Sequence, residues 1–324
     1  MSDGQEGEWR TTVLPCGHEV LKADQAHYCT YVSVDALEKL RQPFAGTPTA
    51  ERIPHTHNEE LFVACHQASE IAFGHAVIAL QLTTHSLRPE VALSQFVLAK
   101  RLLGRSIAWV NVATEVMFPL RTMADFKGFR DSLAPASGAE SLNVRRLEIL
   151  AGVRENTPYV VERGVPYTYR EYLDRRPKDG DNDPKTRWWT EELTQLLQQP
   201  SLQQRLHEQI GLQGLDLETA CEGLYPLPLE VPTVKKEEDE ERLSPREKLR
   251  ELCRGAYIFE MAYLNWRMHH SITAAREIGT TPGTGHTSGM TYLHDVRRRL
   301  RIFPGLSEAI ARQDPASAPP ATGT

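Results

Sequence analysis

No two of the five cysteines (Cys16, Cys29, Cys65, Cys221 and Cys253) form a C-x-x-C pair. Their count is odd and their spacing scattered, and reduced structural thiols are the expectation. Positive charge is also short: 37 basic against 43 acidic residues leave a formal net charge of -6, so no diffuse basic field favours nucleic acid. Nowhere does the sequence approach the roughly 18 uninterrupted apolar residues of a membrane span. Its start, MSDGQEGEW, has neither a basic n-region nor an apolar run. A cytoplasmic protein that engages neither membrane nor nucleic acid is the expectation. Twelve histidines invite a metal hypothesis, yet neither Glu-x-x-His nor His-x-x-x-His occurs among them, which disfavours a di-iron bundle or a zincin site. P-loop and dinucleotide fingerprints are missing, no internal repeat is apparent, and alternation of the strand type is scarce.

Helical periodicity fills the space left by these absences. Hydrophobic content of 40% in 324 residues suffices for a substantial core. Asn58 to Leu82 carries acidic residues in its first turn and then apolar residues three and four apart, which predicts a helix. Pro89 to Phe118 reads as a second long helix and Ser141 to Gly152 as a shorter one. Pro245 to Ile278 reads as a third long helix, with Ser244-Pro245 at its start and Gly279 at its end. The fold class expected is all-α, a helical bundle with a small helical insertion. Residues 1–26 form an N-terminal extension, 27–155 and 233–313 the bundle, 156–232 the insertion and 314–324 a disordered tail. The charged run Lys235 to Lys248 reads as a solvated linker into the last long helix.

Among the candidate chemical groups, His55 and His57 form a His-x-His that reads most simply as a polar N-terminal turn. His66 and Glu70, four apart, are expected to pair with each other. On the last long helix Phe259, Trp266 and His270 fall on one stripe, which aims a histidine at an apolar face. That pattern fits a satisfied core histidine or an axial ligand over a flat apolar floor for a porphyrin, and the adjacent His269 leaves the choice of ring open. Two glycine-bearing loops, LAPASG and PGTGHTSG, let backbone N–H groups approach an anion. Arg130, just before the first loop, has the planar fork that suits a carboxylate, or an ordinary salt bridge.

Four separated segments, in order and at compatible distances, resemble the tryptophan 2,3-dioxygenase family. They are YCTYVSVDALEKLRQP, HTHNEELFVACHQASE, FKGFRDSLAPASGAESLNVRRLE and WRMHHSITAAREIGTTPGTGHTSG, and the likeness runs from Tyr28 to about Leu306. The resemblance implies that the bundle encloses a haem b, with His270 as the axial ligand of its iron, and that the activity is insertion of oxygen from O2 into the indole of tryptophan or a derivative. It further implies that Arg130 takes the substrate carboxylate and Thr284 the ammonium group, that His57 stands near the indole nitrogen, and that Ser137 lies beside the haem and dioxygen. Ile53, Phe126 and Leu133 become pocket walls. Tyr28 and Tyr31 act in a neighbouring subunit, so a homo-oligomer, a tetramer, is implied.

Departures from the family pattern bear on the substrate. Ile53 stands where an aromatic residue is frequent, Ala139-Glu140 replace Phe-Gln, and His286-Thr287 replace Gly-Ser. They leave room for a tryptophan substituted on its side chain. They also keep open a monooxygenase outcome, of the kind the wider superfamily shows in natural-product biosynthesis. A haem-binding sensor without turnover is the alternative from another class, and a helical interaction protein without cofactor is a third.

Overall fold

The computed structural model describes residues 12–13, 19–20, 53–123, 126–130, 141–153, 158–162, 165–168, 171, 184–225, 237–279, 293 and 301–313. Three long helices dominate them: α1 (Ile53–Ser86), α2 (Phe96–Glu115) and α9 (Pro245–Ile278), as an all-α fold requires. Between α2 and α9 lie α3 (Lys127–Arg130), α4 (Leu142–Ala151), α5 (Pro184–Gln198), α6 (Leu202–Leu212), α7 (Leu217–Ala220) and α8 (Glu237–Glu241). After α9 comes α10 (Pro304–Ala311). Two antiparallel hairpins, β1 (Thr12–Val13) with β2 (Glu19–Val20) and β3 (Pro158–Glu162) with β4 (Val165–Thr168), complete the described elements. The second hairpin opens the segment expected to be a small helical insertion, where PYVVE and VPYT carry β-branched and aromatic residues.

Helix α1 starts five residues earlier than periodicity indicated, with Pro54 in its first turn, where a missing N–H costs nothing. Its acidic pair therefore falls inside the helix, and Glu59 is buried instead of meeting the dipole. The expected helix from Pro89 divides into a 3₁₀ segment, Pro89–Gln95, the α-helix α2, and a second 3₁₀ turn, Phe118–Thr122, each 3₁₀ piece having a proline in its first two positions. For α9 the bounds agree. Ser244 and Glu247 make a reciprocal capping box, Pro245 is the first helical residue, and Gly279 at φ 55° ends it.

Helix α2 lies against both α1 and α9, while α4 packs on α1 and α5. Gly255 on α9 allows the close approach to α2, because a Cβ there would come within 2.8 Å of Leu103. One apolar core runs through α1, α2, α4, α6, α9 and α10. By length and mean hydropathy Asn58–Ser86 would suffice to cross a bilayer, and its packing on α2 and α4 gives that apolar content a use inside the bundle. Buried polar groups act as fasteners. Glu260 of α9 accepts hydrogen bonds from the backbone N–H groups of Ile302 (2.7 Å) and Phe303 (3.3 Å) and from the Ser307 hydroxyl (2.9 Å), fixing the start of α10. Gln209 donates to the Leu87 carbonyl at 3.1 Å and so satisfies the turn between α1 and the 3₁₀ segment. The run expected to be solvated is partly structural: Glu240 of α8 is buried and pairs with Lys100 at 2.7 Å. Cys65, Cys221 and Cys253 are buried and free, as structural thiols should be.

Candidate haem and substrate site

The C-terminal half of α9 carries the ring stack that sequence periodicity placed on one face. Trp266 lies nearly parallel to His270, with centroids 5.5 Å apart and planes 16° from parallel, and Phe73 of α1 meets Trp266 edge-on at 4.7 Å. The fourth-residue spacing in an α-helix brings Trp266 and His270 one above the other. Inside this stack His270 Nδ1 is buried and has no hydrogen-bond partner among the described residues. Burial, with repulsion from His66 and Arg267, pushes the imidazole down to about 3, so the ring is neutral at physiological pH. A neutral imidazole keeps a nitrogen lone pair for a metal.

His269 is engaged differently. The Arg121 guanidinium donates to its Nδ1, and Phe118 packs edge-on against its ring at 5.1 Å. Arg121 is itself laid over Phe118 and donated to, at its carbonyl, by Arg276. The 3₁₀ turn Phe118–Thr122 thus occupies His269 and leaves the second imidazole to face inward, which periodicity alone left undecided.

An aromatic cluster adjoins this wall. Phe62 of α1 is 5.4 Å from Phe126 and 5.7 Å from Phe129, which are themselves edge-to-face at 5.2 Å. Phe126 leads into α3, whose last residue, Arg130, donates its backbone N–H to the Phe126 carbonyl at 3.0 Å. Two of the expected substrate contacts, Phe126 and Arg130, are therefore joined by one backbone turn. His66 bridges the two regions. Its ring lies 4.0 Å from that of Phe62, and it sits near enough to His270 to repel a charge there. The expected His66 partner was Glu70. Instead His66 Nδ1 donates to the Phe62 carbonyl at 2.7 Å, while Glu70 accepts from Asn143 at 3.0 Å. The backbone carbonyl four residues back is within reach of a ring that points into the core, and the carboxylate finds its partner on α4.

Ile53 is the first residue of α1 and His57 stands one turn further, with both side chains outside the described residues. Tyr28, Tyr31, Leu133, Ser137 and Thr284 also lie outside the described residues, as do Ala139, Glu140, His286 and Thr287.

The donor set fits a haem. Among the described residues no group of three or more His, Cys, Asp or Glu could hold a bare metal ion. A porphyrin needs only an axial ligand from the chain, and His270 offers a neutral imidazole stacked on Trp266, its buried Nδ1 without a hydrogen-bond partner among the described residues.

Sequence reasoning passed over Phe62, Phe129 and Arg121. It also missed the buried set Glu148, Tyr263 and Arg267, which lies behind Trp266. Glu148 accepts from the Tyr263 hydroxyl, from Arg267 and from Arg145. The i, i+3 spacing of Arg145 with Glu148 and the i, i+4 spacing of Tyr263 with Arg267 were the available signals.

A family profile described as tryptophan 2,3-dioxygenase matches residues 15–210, more than half of the chain. Among named relatives, tryptophan 2,3-dioxygenase 2 of Ralstonia nicotianae is 26% identical over 339 aligned residues, covering 86% of this chain and 90% of its own length. The tryptophan 2,3-dioxygenase of a Ruegeria species is 29% identical, covering 88% and 91% respectively, and that of Caulobacter vibrioides 26%, covering 88% and 97%. With a profile match of that extent and relatives aligned along nearly their whole lengths, the chain belongs to the tryptophan 2,3-dioxygenase family.

Proposed function

We propose that this protein is a haem-dependent oxygenase that inserts oxygen from O2 into the indole ring of L-tryptophan or a side-chain-substituted tryptophan. The observation that carries the proposal is His270, a neutral imidazole stacked on Trp266, whose buried Nδ1 has no hydrogen-bond partner among the described residues. Haem b, when bound there, supplies a ferrous iron at which dioxygen is activated.

The chain's own residues bind and orient. Arg130 presents a bidentate fork to the substrate carboxylate, with Phe126 one turn back as an aromatic wall. Thr284 holds the ammonium group, and Ile53 and Leu133 complete the apolar lining. His57 orients the ring through the indole N–H, and Ser137 lines the oxygen side. Held at both ends of the amino acid, the indole double bond is fixed against the reacting face, and this positioning supplies much of the rate. Insertion of both atoms of O2 gives an N-formylkynurenine-type product. The isoleucine at position 53, where the family often has an aromatic residue, leaves room for a β-substituted tryptophan, and a monooxygenase acting on such a substrate is the second reading.

Support for self-association comes from the outer face of α1, where Ile71 (51% exposed), Ile78 (53%) and Leu82 (48%) form a stripe at helical spacing with His75, whose ring stacks on Trp109 of α2 at 4.7 Å. An open groove of about 620 Å³ runs beside it, lined by Ile71, His75, Ile78, Asn143, Arg146 and Glu192. Contiguous apolar surface of this kind suits a subunit interface, and a cytoplasmic homotetramer with Tyr28 and Tyr31 reaching a neighbour's site is the assembly proposed.

Mass spectrometry of the products formed under labelled dioxygen from tryptophan and from its β-methyl analogue tests the activity. Two labelled atoms in the product are expected. One labelled atom would point to the monooxygenase, and haem-replete protein with no oxygen uptake on either compound would overturn the enzyme reading in favour of a sensor.

A further inference from the structure

Behind the face that carries His270, a buried ion pair is stacked onto the same aromatic ring. Glu148 on α4 is fully buried and Arg267 on α9 is 5% exposed. The Arg267 guanidinium donates to Glu148, and its Nε donates to the Tyr263 hydroxyl at 3.1 Å, while Tyr263 itself donates to the same carboxylate. Arg145 donates to the other carboxylate oxygen at 3.2 Å. So fixed, the guanidinium lies 5.4 Å from the centroid of Trp266, and Trp266 in turn lies parallel to His270. Cation, indole and imidazole thus follow one another along a single helix, locked from behind by a carboxylate on another. The arrangement is polar. Arg267 is close enough to act on His270, whereas the acid is set back on α4. No carboxylate meets the buried Nδ1 of His270 among the described residues, so nothing there turns the ring toward an imidazolate.

We propose that Arg267, pinned by Glu148 and Tyr263, is a positioning residue that fixes the plane of the His270 ring through Trp266 and biases the haem held by His270 toward its ferrous state. The inference rests on the haem reading above. Its physics is electrostatic. A ferric haem carries one more positive charge than a ferrous one, and a fixed cation behind the axial ligand, in a buried medium, raises the cost of that charge. In the reduction a single electron enters the iron from an external one-electron reductant. Arg267 transfers neither proton nor atom.

The experiment is spectroelectrochemical titration of the full-length holoprotein and its variants, with haem stoichiometry read from the Soret band. Arg267→Met is expected to lower the midpoint potential by about 59 mV, a tenfold change in the ferric-to-ferrous ratio at fixed ambient potential. Glu148→Gln removes the countercharge, leaves the cation, and is expected to shift the potential the opposite way. Arg267→Lys is expected to stay near the unsubstituted value. A purely structural role moves both charge-removing variants in one direction or neither, so shifts of the same sign, or none, would overturn the inference while leaving the haem reading intact. If Arg267→Met does not fold, Glu148→Gln decides alone: a rise supports the inference, and an unchanged or lower potential overturns it. Failure of the unsubstituted protein to bind haem would overturn both readings.

Discussion

At the residue scale the site turns on how two adjacent imidazoles are held. His269 is held by Arg121 and Phe118, and the buried Nδ1 of His270 has no hydrogen-bond partner among the described residues. A sequence shows adjacency and not which ring a distant turn captures, so periodicity left the choice open, and it was the likeness of the segment WRMHH to the family pattern that pointed to His270. Being forced neutral has a consequence for stability in the haem-free protein. The folded-state affinity of His270 for protons is lowered, to about 3 against an ordinary 6.5, so the unfolded chain binds more protons in between. Stability therefore declines as pH falls from about 6.5, by at most about 1.4 kcal/mol per pH unit from this group. Denaturant titrations between pH 7 and 5 should show that slope reduced in His270→Leu, and an unchanged slope would mean that the ring is solvated. For the substrate, Arg130→Gln should keep full haem occupancy while weakening tryptophan binding by about 1.5–3 kcal/mol, the worth of a charge-assisted pair. Spectral titration with tryptophan measures this, and unchanged affinity would remove Arg130 from the carboxylate role.

At the scale of elements, α9 was the most legible. Its cap, proline and terminal glycine are local signals whose physics operates within one turn, and the bounds Pro245–Ile278 follow from them. Proline also explains the misreading next to α2, since Pro89 and Pro119 sit in 3₁₀ turns that apolar spacing does not separate from α-helix. The β3–β4 hairpin escaped notice because two short strands leave too few residues to establish a period of two. Three elements meet at Gly152, which follows α4 with φ 157°. A Cβ there would come within 2.9 Å of Gln203 on α6 and 3.1 Å of the Ile302 carbonyl before α10. Gly152→Ala should therefore destabilise the fold by about 1–3 kcal/mol, read as a lowered thermal midpoint. A neutral or stabilising outcome would show that these junctions give way easily.

At the scale of the whole molecule, the helical class followed directly from periodicity, and the order of four motifs along the chain carried the family. Long-range pairings did not. Lys100 with Glu240 and Glu148 with Arg267 join residues more than a hundred positions apart, and no spacing rule reaches that far. The exposed stripe on α1 was equally hidden, because the same apolar residues in sequence suit a core and an interface alike. If copies of the chain associate through it, Ile78→Glu combined with Leu82→Glu should reduce the mass measured by light scattering while leaving helical content unchanged. An unaltered oligomer would move the interface elsewhere.

The proposed function requires His270 to hold the haem iron. Its most direct test is the haem content and Soret spectrum of His270→Gly, measured before and after addition of free imidazole, beside His269→Gly as a control. Loss of stoichiometric haem from the first variant, its recovery with imidazole, and full retention by the second are the results expected. Normal haem binding by His270→Gly without imidazole would contradict the account.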